Sequence, residues 1–111
     1  MGDEWVMNIF DIFIAYVTWG GGGKKRPVLI LEQRAGGVTV FNITTQYDGK
    51  SEIIRSKYFR INDWQQAGLK QQSYVDTNST VTLPLTSVDL AHPVGTLTES
   101  DVRKLFEFIS K

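Results

Sequence analysis

Residues 24–46, KKRPVLILEQRAGGVTVFNITTQ, predict two β-strands joined by a tight turn. Residues 28–31 form a continuous apolar run of strand length, which is typical of a strand that is buried on both faces. Residues 38–43 alternate their side chains between two faces, as a second strand does. The Ala-Gly-Gly at residues 35–37 supplies the positive backbone φ angles of a hairpin turn. The stretch therefore predicts an antiparallel hairpin.

The polar residues of this hairpin lie at its two open ends. Lys-Lys-Arg precedes the first strand at residues 24–26, and Thr-Thr-Gln follows the second at residues 44–46. The two ends of an antiparallel hairpin lie side by side, so folding brings the Arg26 guanidinium close to the hydroxyls of Thr44 and Thr45. Such a set of donors suits a phosphate. The alternative is a solvated charge at a strand start, with threonines present for strand packing.

The composition predicts one domain over residues 1–111, with residues 1–8 as an N-terminal extension. Lys plus Arg and Asp plus Glu are balanced at 12 each, so any nucleic-acid site must be a local patch. The chain has no cysteine, which excludes disulfides and thiolate sites and is compatible with a reducing cytoplasm. No apolar run approaches the about 20 residues of a membrane span. We expect a soluble, cytoplasmic protein with no membrane partner.

Outside the hairpin, strand-like segments dominate the chain. Residues 9–17 predict a first strand with two apolar faces, and such a strand is central or interfacial. Further strands are predicted over residues 58–61, 73–76 and 81–85, the last with Pro84 marking an edge position. Turns and loops are predicted at residues 19–23, 48–50, 51–57 and 89–95.

Two helices are predicted in the second half of the chain. Asn62 is a suitable N-cap for a short helix over residues 63–67, which Gly68 ends. Thr98 is the N-cap of a longer C-terminal helix, and Asp101 three residues later completes an approximate capping box. The apolar stripe of this helix is formed by Val102, Leu105, Phe106 and Ile109, with Phe108 exposed beside it. The elements together predict a small, mainly β barrel closed by a C-terminal helix.

The glycine run GGGGKK at residues 20–25 invites comparison with a phosphate-binding loop. The Walker pattern requires Ser or Thr after the lysine and a helix directly behind it. Here Lys25 is followed by Arg26, Pro27 and a strand. The run therefore favours a flexible loop over a nucleotide site.

Few other residues have the chemistry of a catalytic group. Asp76 is either an acid at the end of a strand or a carboxylate on the same rim as Arg26. His92 is the only histidine, which excludes a mechanism with two histidines, and its position before Pro93 indicates a surface loop. No cluster has the spacing of metal ligands, so we predict no metal and no cofactor. Exposed aromatic residues can stack on unpaired bases, although core packing is the more common role of aromatic side chains.

Several segments resemble the MazF/PemK family of toxin–antitoxin ribonucleases, close to its PemK-like branch. They follow the family order over residues 9–109, and the Arg-Pro-apolar run followed by Ile-Thr-x-Gln is the most specific of them. The segments are DIFIA at 11–15, KRPVLI at 25–30, ITTQ at 43–46, GLK at 68–70, SYVD at 73–76 and VGTLT at 94–98.

The resemblance implies an SH3-like β-barrel with a C-terminal helix, a homodimer, and an acidic antitoxin as partner. It also implies metal-independent cleavage of single-stranded RNA to 2′,3′-cyclic phosphate and 5′-hydroxyl ends. By position, Arg26 matches the catalytic arginine of the family, Thr44 its catalytic threonine, and Asp76 an acid that serves as base in some members. The predicted RNA-binding residues around them are Lys24, Lys25, Thr45, Gln46, Trp19 and Tyr47.

The sequence departs from the family pattern at three points. Phe10 stands where the family has a glycine before the first-strand Asp11. The glycine run replaces a Ser-Glu-Gln loop, so the acid of that loop is missing. The arginine that follows the matched acid in the family is also missing after Asp76.

Two other functions remain open at this point. The same barrel also serves a gyrase-poisoning toxin, CcdB, whose activity depends on C-terminal aromatic residues. Phe106 and Phe108 favour the gyrase-poisoning hypothesis, whereas Arg26 and Thr44 argue against it. The second alternative is a noncatalytic SH3-like binding module.

Overall fold

The computed structural model describes residues 7–111, and in that part of the chain strands dominate. The elements are β1 (Asp11–Trp19), β2 (Gly22–Arg34), β3 (Gly37–Thr44), α1 (Glu52–Arg55), β4 (Tyr58–Arg60), β5 (Tyr74–Pro84), β6 (Gly95–Thr96) and α2 (Glu99–Ile109). The strands form one six-stranded antiparallel sheet in the order β4-β5-β3-β2-β1-β6. This sheet curls into a half-barrel, so the predicted mainly β fold with a C-terminal helix is confirmed. Among the described residues, no helix is long and apolar enough to cross a membrane.

The hairpin predicted over residues 24–46 is the centre of this sheet. Arg34 pairs with Gly37 across a turn of Ala35 and Gly36, and Gly36 takes the positive φ, 75°. Further along, Val28 pairs with Asn42. The apolar run of β2 is buried on both faces, as predicted, because β1 and β3 flank it and both faces of the sheet are covered.

Two apolar clusters cover the two faces of the sheet. One contains the side chains of Met7, Phe13, Ala15, Val17, Val28, Ile30, Val38, Val40, Leu83 and Val88. The other lies under α2 and contains Ile12, Leu29, Phe41, Ile43, Phe59, Ile61, Ala67, Val75, Leu97 and Leu105. Of the predicted extension 1–8, the structure describes residues 7 and 8, and Met7 is buried. Residues 1–6 lie outside the described part.

The glycine run is not the flexible loop that the sequence predicts. Trp19 pairs with Gly22, so β1 and β2 continue as a hairpin to its tip at residues 20–21. The ring of Tyr16 lies so close to Gly23 that a Cβ there would be 2.9 Å from it. Aromatic rings that cover the glycine backbone stabilise extended structure that glycine alone would not favour.

The first strand begins at Asp11 rather than at residue 9. Phe10 has a φ of 73°, in the left-handed region, and therefore cannot continue a strand. Its backbone is held there, because its N–H donates to the Ile30 carbonyl at 2.7 Å and its carbonyl accepts from the Leu97 N–H at 3.1 Å. This strained residue stands where the family pattern has glycine.

The segment between β3 and β5 differs from the prediction in two places. Residues 51–57 contain the one-turn helix α1, and its N-cap Ser51 accepts a hydrogen bond from the Ile54 N–H at 3.2 Å. Residues 63–67 form consecutive turns instead of a helix. Gly68 ends these turns as predicted, with a φ of 91°, and a Cβ on it would collide with the Val94 carbonyl.

The two strands predicted at residues 73–76 and 81–85 are the two halves of β5. The pairing with β3 jumps from Asn42↔Asp76 to Val40↔Val81, so residues 77–80 form a bulge where the sequence predicts a break. Pro84 pairs with Gly37 beyond the end of β4, which confirms its edge position.

Helix α2 starts at the predicted N-cap, where Thr98 Oγ1 accepts from the Asp101 N–H at 3.2 Å. Its inward face, however, is rotated from the predicted stripe. Phe108 packs edge-on against Phe59, whereas Phe106 and Ile109 are 57% and 48% exposed. The prediction that Phe106 and Ile109 face the core, with Phe108 outside, is therefore wrong.

A buried carboxylate accounts for this rotation. Asp101 is fully buried and accepts from the backbone N–H groups of Asn62 at 3.2 Å and Asp63 at 2.8 Å. In a capping box this side chain would reach back to the N–H of the N-cap residue. The Asp101 carboxylate points to the 62–68 turns instead, so the predicted capping box is only half formed. With Asp101 facing inward, Leu105 and Phe108 follow on the same side at i+4 and i+7. The same bonds occupy the N–H groups at the start of the predicted short helix.

We predict that Asp101→Asn lowers the free energy of unfolding by about 2 kcal/mol or more, because one buried N–H then loses its acceptor and faces an amide donor. Urea unfolding measures the loss. Glu99→Gln, exposed in the same helical turn, is the control and should change stability by less than about 0.5 kcal/mol. Equal stabilities of the two variants would contradict this role of Asp101.

Candidate active site

A small cavity opens where the two polar ends of the β2–β3 hairpin meet. Its volume is about 170 Å³. Six of the residues predicted to form the site lie together in its wall, which is lined by Lys24, Lys25, Arg26, Pro27, Ile43, Thr44, Thr45, Gln46 and Ser73. The wall contains three cationic side chains and no carboxylate, so the cavity favours an anion.

Thr44, the last residue of β3, is buried, and its hydroxyl has a defined orientation. Its Oγ1 accepts a hydrogen bond from the Gln46 N–H at 3.0 Å. This bond satisfies one lone pair and leaves the hydroxyl hydrogen to be donated elsewhere. Thr44 can therefore act as a donor to an oxygen inside the cavity.

Arg26 is half-buried in β2, opposite Ala15 of β1. Its Nε is shut off from solvent and has no hydrogen-bond partner in the part of the chain that the structure describes. Lys24 and Lys25 are exposed at the rim of the cavity. One half-buried guanidinium in the wall and two exposed ammonium groups at the rim therefore supply the positive charge of the cavity.

Asp76 lies beside the cavity, not in its wall. In β5 it pairs with Asn42 on one side and with Tyr58 on the other, and its Oδ1 accepts from the Asn78 N–H at 2.9 Å. Burial raises the pKa of the Tyr58 phenol, the Asp76 carboxylate raises it further, and the Arg26 guanidinium opposes the rise. One neutral phenol is thus within electrostatic range of both predicted catalytic charges.

Three tyrosines form an aromatic cluster next to these groups. Tyr47 stacks on Tyr74 with ring centroids 4.4 Å apart and an interplanar angle of 14°, and Tyr58 lies 6.3 Å and 6.5 Å from the two rings. The guanidinium of Arg55 lies 5.6 Å from the Tyr47 centroid. Of these residues, sequence reasoning identifies only Tyr47.

Other predicted residues are not part of the cavity. Trp19 is at the tip of the β1–β2 hairpin, 54% exposed, with its ring against Gly22. His92 is exposed in the predicted surface loop, 3.2 Å from a carboxylate oxygen of Asp89. Within residues 7–111, no three His, Asp or Glu side chains are grouped as metal ligands would be.

Comparisons with known proteins give matches among solved structures only. No family model and no curated protein matches the chain. The Mycobacterium tuberculosis toxin MazF-mt6 matches with a TM-score of 0.67 and 30% sequence identity, over 90% of this chain and 92% of the toxin. A second Mtb toxin matches with a TM-score of 0.63 and 28% identity, over 90% of this chain and 96% of that one.

The environment of Tyr58 predicts a late ionisation. In a titration followed by tyrosinate absorbance, one of the four tyrosines should ionise above the ordinary pKa of about 10, and Tyr58→Phe should remove that step. Asp76→Asn should lower the pKa of Tyr58, since a charge that favours the neutral phenol is then gone.

The sign for stability follows from the raised pKa. The contribution of Tyr58 to the free energy of unfolding is fully present below pH about 10, the pKa of the unfolded phenol. This contribution is lost as the pH rises through the pKa of Tyr58 in the folded state, because the phenol ionises first in the unfolded chain. If Asp76→Asn left the late step unchanged, the assignment of the two groups to one electrostatic cluster would be wrong.

Proposed function

Because this chain belongs to the MazF/PemK-like family of toxins, we propose that it is the toxin of a type II toxin–antitoxin system and a metal-independent endoribonuclease. The observation that carries the proposal is the cavity in which Arg26 and Thr44 meet, with Lys24 and Lys25 at its rim. Cationic and hydroxyl donors around a small cavity suit the phosphate of a single-stranded RNA. The proposed products are 2′,3′-cyclic phosphate and 5′-hydroxyl ends.

In the proposed reaction the 2′-hydroxyl attacks the adjacent phosphorus and the 5′ oxygen leaves. Negative charge then grows on the phosphoryl oxygens, and fixed donors directed at them lower the barrier. Arg26 supplies two parallel donors, and the hydroxyl hydrogen that Thr44 retains supplies a third. A guanidinium with a pKa above about 12 holds its protons, so Arg26 stabilises charge rather than transferring a proton.

The base of this reaction is proposed to be Asp76. Asp76 pairs with Asn42, and Asn42 pairs with Val28 on the strand that carries Arg26. The Asp76 carboxylate accepts the proton of the 2′-hydroxyl, and the leaving 5′ oxygen takes up a proton from water. The hairpin tip at residues 20–21 consists of glycine, so the acid that the family carries in this loop has no counterpart there.

Aromatic side chains provide the proposed contacts to bases. Tyr47 follows Gln46 at the rim and is already stacked on Tyr74, so this pair presents an ordered surface to an unpaired base. Trp19, exposed at the hairpin tip, is proposed as a more distant contact. Thr45 and Gln46 complete the rim beside the phosphate.

The gyrase-poisoning alternative depends on exposed C-terminal aromatic residues. Phe108 does not meet this condition, because it packs on Phe59. Of the two phenylalanines of α2, only Phe106 is exposed. The cationic cavity has no role in that alternative, so we favour RNA cleavage.

We predict that Arg26→Ala reduces cleavage of a single-stranded RNA by at least about 100-fold, the usual cost of losing an oxyanion donor. Growth arrest on expression should disappear with it. Arg103→Ala, which removes an exposed arginine on α2, is the matched control and should keep full activity. Circular dichroism checks that both variants fold. Wild-type cleavage by Arg26→Ala would refute the site.

We also propose that the protein is a homodimer that buries an exposed apolar patch. Ile9, Phe10, Phe106 and Ile109 surround a cavity of about 330 Å³ whose wall is almost entirely apolar. The strained backbone of Phe10 directs its ring edge-on against Phe106, with centroids 5.6 Å apart. Strain at one residue costs energy and is retained where the residue has a use. A second copy of the chain is the proposed cover.

Light scattering at micromolar concentration should therefore give twice the chain mass of 12.5 kDa. Phe106→Glu places a charge in the patch and should yield a monomer. Ile53→Glu is the control, because Ile53 is an apolar residue on α1 that lies outside the patch and is even more exposed, at 78% against 57% for Phe106. A monomeric wild type, or dissociation by both substitutions alike, would count against this dimer.

The proposed protein partner is an acidic, partly disordered antitoxin that lies across the basic rim. Carboxylates would pair with Lys24, Lys25 and Arg26, and apolar anchors must offset the entropy lost when the segment becomes ordered. RNA and antitoxin then compete for one site.

Competition binding tests this arrangement. An antitoxin peptide should displace RNA, and its affinity should weaken with rising salt without vanishing. Lys24→Ala removes one cation of the rim and should weaken the binding of both RNA and peptide. Simultaneous binding of saturating peptide and RNA would mean that inhibition, if present, acts from another surface.

A further inference from the structure

Two polar atoms next to the cavity are buried without partners. They are Nε of Arg26 and Oδ1 of Asn42, and neither makes a hydrogen bond within residues 7–111. Buried polar atoms are nearly always paired in folded proteins, so each unpaired atom calls for an explanation. The two are complementary, because Nε–H is a donor only and the amide oxygen is an acceptor only.

The strand register makes these two side chains neighbours. Val28 of β2 is the cross-strand partner of Asn42. Arg26 lies two residues before Val28, so its side chain emerges on the same face of the sheet. Diagonal neighbours of this kind lie within reach of long side chains, and arginine is among the longest.

We propose that Asn42 is a positioning residue for Arg26, in that its Oδ1 accepts the Nε–H of Arg26 when RNA occupies the cavity. This inference rests on the proposed function of Arg26. One hydrogen bond would satisfy both buried atoms at once. It would also leave the two terminal nitrogens of the guanidinium to take the phosphate end-on, as a parallel pair of donors.

The benefit of such a bond is orientation. An arginine side chain has many rotamers, and each donor bond to a phosphate is weakened if the plane of the guanidinium is free to turn. Fixing Nε on a strand orients this plane before the charge develops on the phosphoryl group. Asn42 is also neutral, so it accepts from Arg26 without adding a charge that repels phosphate.

Kinetics separate positioning from a structural role. Asn42→Leu, similar in size and acceptable in a strand, should lower kcat by about tenfold, the size of a hydrogen bond to a charged group, with little change in KM. In the Arg26→Lys background, which lacks the Nε–H, the same substitution should change kcat less than about twofold.

A second measurement does not depend on cleavage. The hydrogen exchange of the Arg26 Nε–H is followed by NMR in the 111-residue chain with a short mixed-sequence 2′-O-methyl RNA, which cannot react at the 2′ position. The signal is assigned by its absence from Arg26→Lys. We expect exchange slower than that of the exposed Arg103, by about tenfold or more, and loss of this protection in Asn42→Leu. Thr39→Val, a substitution in the same strand away from the cavity, should keep the protection.

The outcomes distinguish the two proposals. Equal loss of kcat by Asn42→Leu in both backgrounds, or an unprotected Nε–H in the wild type, overturns the role of Asn42. Protection that persists in Asn42→Leu also overturns it, because the RNA itself then occupies Nε. If the wild type cleaves no RNA while protection depends on Asn42, the positioning bond stands and the nuclease function fails.

Discussion

The antiparallel register between β2 and β3 determines which side chains lie on each face of the sheet. The turn at Ala35 and Gly36 pairs Arg34 with Gly37, and the pairing then runs, with one irregularity, to Val28 opposite Asn42. A slip by one residue would move every side chain to the other face. The apolar residues of both strands would then leave their clusters, and Arg26 would no longer share a face with Asn42. Core packing and site geometry are thus specified by the same register.

The second constraint is the buried carboxylate of Asp101. It ties the 62–68 turns to α2 and sets the rotation of this helix about its axis. That rotation decides which aromatic residue joins the core and which faces outward: Phe108 packs on Phe59, and Phe106 meets Phe10 in the exposed apolar patch. The proposed dimer surface therefore depends on a polar contact that lies under the helix.

The central hairpin and the start of α2 were predictable from sequence because their signals are local. Gly36 supplies a turn, Thr98 a cap, and the polar ends of a hairpin must meet, so the neighbourhood of Arg26 and Thr44 follows from one segment. The misjudged features depend on partners distant in sequence. The rotation of α2 depends on backbone N–H groups 38 and 39 residues away. The glycine run pairs as a strand because aromatic rings cover it. Tyr58 and Tyr74 join the site through the pairing of β4 with β5, which no local sequence pattern predicts.

In the proposed reaction, donors of the cavity promote cleavage of RNA by the RNA's own 2′-hydroxyl, without a metal ion. The most direct measurement is mass spectrometry of the ends formed from a single-stranded RNA in excess EDTA. We expect fragments with 2′,3′-cyclic phosphate and 5′-hydroxyl ends, formed at the rate seen without EDTA. Fragments with 3′-hydroxyl and 5′-phosphate ends, or cleavage that stops in EDTA and returns with a divalent ion, would contradict it.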